Sequence, residues 1–91
     1  MDFSALPGGE LIYQGLEDLT AGRESVAALL VLVGAPRLRR LGLEIPDRTE
    51  SGAEHRLYHL LTRLDPDSAH SRYNALLRRL VRFERAMECV A

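Results

Sequence analysis

Residues Val26–Val33 read Val-Ala-Ala-Leu-Leu-Val-Leu-Val, an octet with no polar position on any face. A segment like this has no side to turn toward water, so whatever fold the chain adopts has to enclose it. Periodicity alone does not separate a buried helix from a buried strand over so short a run. The Ala-Ala-Leu-Leu centre favours helix, and Val31-Leu32-Val33 is the strand-like part. A lone strand would find no pairing partner elsewhere in the chain. A helix over 26–33 is therefore predicted, with Ser25 as its N-cap.

The flanking segments read as helical too. Residues 1–9 form a loop ending in Pro7-Gly8-Gly9. Over 10–20, Ile12, Leu16 and Leu19 recur at four and three residues, with Glu10 in the first turn and Gly22 placed as C-terminal cap. Pro36 suits a first helical position, so a separate short helix over 36–41 is predicted. Gly42 would close that helix, with Leu43 returning to Leu38 in a Schellman turn. Ser51 and Glu54 have the spacing of a capping box for a helix over 52–64. Asp65-Pro66-Asp67-Ser68 breaks the chain and starts the last and longest helix, 68–90. Ala69, Tyr73, Leu76, Leu80, Phe83, Met87 and Val90 alternate at four and three residues along it, a heptad-like seam. The expectation is an all-α protein, a compact bundle of four to five helices in one domain over residues 1–91.

At 91 residues, folding buries roughly 60–65% of the chain's surface, and a second subunit would add stability. Val26, Leu29, Leu30 and Val33 of the octet, with Tyr73, Leu76, Leu80, Phe83 and Met87 of the seam, are the residues expected in the core or at an interface. They motivate the first functional reading, a protein–protein interaction module or accessory subunit that self-associates as a homodimer. No cofactor motif is present, and none is expected. The lone Cys89 fits a reducing compartment. No secretory signal is visible at the N-terminus, and no apolar run is long enough to span a bilayer. A cytoplasmic protein that does not enter membranes is expected.

Charge is polarised although the net value is −1. The acidic residues Asp2, Glu10, Glu17, Asp18 and Glu24 precede position 25 against Arg23 alone, whereas Arg72, Arg78, Arg79, Arg82 and Arg85 crowd the last helix. All 12 basic residues are arginine, a pattern of GC-rich, bacterial-like coding. On a helix, Arg78, Arg82 and Arg85 fall within about 60° of one another, opposite the seam. The second reading is a nucleic-acid-binding regulator using these five arginines as a phosphate footprint. Scarce aromatics and the near-neutral net charge argue for a solvated face or for acidic partners instead.

Three smaller features bear on chemistry. His55 and His59 stand i, i+4, so both could face one metal ion, but Arg56 between them disfavours a cation. Glu84 lies at the edge of the seam, either as a buried acid or paired with an arginine at its rim. Arg63 and His70 are separated by six residues, which is similar to the Arg–His spacing of the HEPN helical ribonucleases. That likeness covers two residues only, and the family's long helices are missing. It implies an Arg–His pair able to position and activate a ribose 2′-hydroxyl. The competing reading of the His70–Asn74 patch is helix capping and inter-helix hydrogen bonding. An enzyme is the least expected of the three classes.

Overall fold

The computed structural model describes residues 3–46 and 51–90. A 3-10 turn, Phe3–Ala5, leads into four α-helices: α1 (Gly9–Thr20), α2 (Val26–Arg40), α3 (Ala53–Leu64) and α4 (Ala69–Val90). No strand occurs among the described residues, and α4 is the longest element. None of the helices is long and apolar enough to cross a membrane.

The apolar octet organises the fold. It forms the N-terminal half of α2, and α2 packs against α1, α3 and α4. Ala27–Leu32 are buried, and Val26 and Val33 are half-buried. Contact on three sides is what a helix without a polar face requires. The buried residues form one continuous cluster in which Ile12, Leu29, Leu30, Leu57, Leu61 and Phe83 have almost no exposed surface. Truncating one of these leucines to alanine would cost about 2–5 kcal/mol.

The break expected before Pro36 is absent: α2 continues through the proline to Arg40, joining the predicted 26–33 and 36–41 helices. Proline removes the N–H that would bond the carbonyl of Leu32. Against that cost, Ala28, Val31, Ala35 and Leu38 make one fully buried stripe at three, four and three residues. Only an unbroken helix keeps Ala35 and Leu38 on the same face as the octet, and tertiary packing overrides local propensity.

Local hydrogen bonds explain most helix ends. Ser25 caps α2, its Oγ accepting from the Ala28 N–H at 3.1 Å. After α1, Gly22 takes a left-handed φ of 77°, and the Arg23 N–H returns to the Asp18 carbonyl at 2.7 Å. After α2, Gly42 does the same at φ 102°, and the Leu43 N–H reaches the Leu38 carbonyl at 3.1 Å. Both are Schellman turns. The Ser51–Glu54 capping box does not form. Gly52, left-handed at φ 73°, is the N-cap of α3 and no side chain caps it, so the helix starts one residue later than predicted. Between α3 and α4, Asp65 organises the turn: its carboxylate accepts from the Ser68 hydroxyl at 2.8 Å and from the Asp67 N–H at 3.2 Å. The 3-10 turn lies within the segment expected to be irregular loop, and Phe3 packs edge-on against Phe83, ring centroids 5.6 Å apart.

Candidate functional site

The heptad-like seam turns α4 inward. Ala69, Leu80, Phe83 and Met87 are buried and Tyr73, Leu76 and Leu77 half-buried, while Val90, the last seam position, is exposed. The seam and the octet thus supply the core of this one chain. With α4 held that way, its opposite face is fixed toward solvent, and Arg72, Arg78, Arg79, Arg82 and Arg85 are all exposed. None of the five has an ion-pair partner among the described residues.

Three arginines outside α4 are engaged, while Arg40 and Arg63 are exposed without ion pairs among the described residues. Arg23 bonds Asp18 at 2.8 Å, Arg56 lies 3.5 Å from Glu24, and Arg37 of α2 pairs with Glu88 of α4. The Glu88 pairing engages the exposed carboxylate of α4 with α2. Glu10 and Glu17 of the acidic helix do not neutralise the arginine face either, since neither forms an ion pair among the described residues. Glu10 and Glu17 stay on the exposed side of α1, with Tyr13 half exposed between them.

Two acids are buried: Asp18, which the sequence groups with the surface charge of α1, and Glu84, for which burial is one of the two expected placements. Asp18 is 6% exposed and is the acceptor at the α1–α2 junction. It takes hydrogen bonds from the Ser25 hydroxyl at 2.6 Å, from both Nε and NH2 of Arg23 and from Gln14 at 3.0 Å. Donation by Ser25, then Arg23, holds its carboxyl below the ordinary value of 3.8. Nothing in the sequence pattern marked Asp18 except its place beside Leu19, on the turn that Gly15 and Ile12 also face. Glu84, at 5% exposed, sits in the α2–α4 contact. A β-carbon at position 34 would stand 3.4 Å from its Oε2, so Gly34 leaves room for the carboxyl. No hydrogen bond among the described residues compensates its burial. Desolvation therefore raises its pKa above 4.5, with Arg37 opposing and Glu88 reinforcing the shift.

The remaining candidates are dispersed. His55 and His59 are exposed on α3 and line two shallow grooves, one shared with Tyr58 and Tyr73 and the other with Arg63 and Glu24. Among the described residues, no group of three or more histidine, cysteine, aspartate or glutamate side chains could hold a metal ion. His70 is turned toward Tyr58, ring centroids 6.4 Å apart, and its Nε2 lies 3.2 Å from Asn74 Nδ2. Arg63 and His70 thus face different surroundings, and the geometry does not assemble them into a pair. Cys89 is an exposed free thiol. Compared with known proteins, the chain matches no family model, no curated protein and no solved structure.

Proposed function

We propose that this chain is a small helical protein–protein interaction module whose working surface is the outer face of α4 and whose partner presents carboxylates. One observation carries the reading: Arg78, Arg82 and Arg85 on that face, with Arg72 and Arg79 flanking one edge, are exposed and without ion partners among the described residues, while Arg23, Arg37 and Arg56 are paired. Like charges three and four residues apart each cost a helix a few tenths of a kcal/mol, a cost that a partner's carboxylates would reverse. The apolar seam is not the ground for this reading, since its residues are used in the core.

A protein partner is favoured over nucleic acid by the rest of the charge. The chain carries −1 overall, whereas nucleic-acid-binding domains carry a net basic charge, and the exposed acids Glu10 and Glu17 of α1 oppose a long polyanion. The test is a fluorescence titration with two probes, a glutamate-rich helical peptide and a DNA duplex, at physiological ionic strength. The reading predicts peptide binding that weakens with salt and is lost in Arg78→Ala/Arg82→Ala/Arg85→Ala. Tighter binding of the duplex would transfer the face to nucleic-acid recognition, and binding of neither probe would overturn the assignment.

A further inference from the structure

The acidic partner that the arginine face requires is present on the chain itself, on the exposed face of α1. The outer face of α1 carries Glu10, Tyr13 and Glu17, all exposed, and neither glutamate has an ion pair among the described residues. Tyr13 is 50% exposed, a large aromatic side chain standing between two unpaired acids. The outer face of α4 carries Arg78, Arg82 and Arg85.

The two faces match in spacing as well as in sign. Counted from the N-terminus, the α1 positions are separated by three and four residues; counted from the C-terminus, so are the α4 positions. Each row spans seven residues, about 10.5 Å of helix. Laid antiparallel, Glu10 meets Arg85, Tyr13 meets Arg82 and Glu17 meets Arg78. Two carboxylate–guanidinium pairs then flank an arginine stacked on a tyrosine ring, a contact in which the aromatic supplies buried area and the ions supply register. Within one chain the two rows form no ion pair with each other among the described residues.

We infer that the acidic α1 face of one copy docks on the arginine face of α4 in a second copy. This rests on the reading of α4 as a protein-binding surface and names its occupant. Contacts of this kind are screened by salt and exchange quickly, so the association is weak and sensitive to ionic strength. Every copy carries both faces, and the contact is either closed by a two-fold axis or repeated head to tail.

Sedimentation velocity over a concentration series tests it with charge-swapped chains. At low salt the wild type is expected to associate, and at high salt to sediment as a monomer. Glu10→Arg/Glu17→Arg and Arg78→Glu/Arg85→Glu should each be monomeric alone, every lost pair weakening association about two- to fivefold. Mixed together, the two variants should associate again, because each supplies the sign the other has lost. Cooperative melting and unchanged helix content verify that the swapped chains are folded. A wild type that stays monomeric at low salt, single swaps that leave association intact, or a mixture that fails to recover it would each overturn the inference. If the glutamate-rich peptide binds while the chain stays monomeric, the reading of α4 stands and only the identity of its occupant fails.

Discussion

The α1–α2 junction and the outer face of α4 both concentrate charge, and they treat it in opposite ways. At the junction a single carboxylate, Asp18, is buried and saturated with donors from Gln14, Arg23 and Ser25. On α4 five guanidinium groups are exposed without ion partners among the described residues. Charge at the junction is structural: it ties the end of one helix to the N-cap of the next. Charge on the outer face holds nothing together within the chain, and at three- and four-residue spacing it works against its own helix. That contrast directs the search for function to α4.

The comparison is sharpened most strongly at Gly15. A β-carbon there would lie 2.4 Å from the Ala27 carbonyl oxygen and 2.5 Å from Val31 Cγ2, so backbone would have to move. Gly15→Ala should cost about 3 kcal/mol or more, measured by urea denaturation. Gly34→Ala is the control. Its nearest neighbour is the tip of Leu80 at 2.9 Å, a flexible group able to yield, and the loss should be distinctly smaller.

Next in size is the pair of buried acids, which are equally enclosed and shifted in opposite directions. Asp18 titrates below its ordinary 3.8 because donors stabilise the carboxylate. Its contribution is complete above that value and is lost as pH falls through it toward the lower folded pKa. Glu84 titrates above its ordinary 4.5 because burial penalises the charge. It imposes a cost that begins as pH rises past 4.5 and is full above the folded pKa. Asp18→Asn should therefore destabilise the protein at neutral pH and flatten the acid limb of its stability curve. Glu84→Gln should stabilise it at neutral pH and leave the acid limb unchanged. Denaturation curves across the acid-to-neutral range separate the two, and the same sign for both variants at pH 7 would break the comparison.

What could be read from the sequence divides along the same line. Gly22 and Gly42 were legible as helix stops because a Schellman turn is written within six consecutive residues, and Ser25 was legible as a cap for the same local reason. The arginine face followed from helical periodicity alone. Pro36 misled because its local preference is outweighed by the stripe through Ala28, Val31, Ala35 and Leu38, which acts only once three helices surround α2. Ser51 misled because Gly52 can take a left-handed cap conformation one residue later. Asp18 looks like surface charge in the sequence because two of its three donor residues, Arg23 and Ser25, lie beyond the Gly22 turn. The seam on α4 was legible as a seam, but whether this chain or another would cover it depended on where α2 lies. That these five arginines have no ion partner among the described residues is equally hidden in the sequence, since Arg37 captures Glu88 across the α2–α4 contact.

The smallest expected effect on stability is also the sharpest test. In Arg78→Ala/Arg82→Ala/Arg85→Ala, thermal unfolding and titration with the glutamate-rich peptide are measured on the same sample. If the face exists for a partner, unfolding free energy stays within about 0.5 kcal/mol of wild type or rises, and peptide binding disappears. A marked fall in stability, or binding that survives the substitution, would mean that these arginines serve the fold or serve nothing, and would contradict the account.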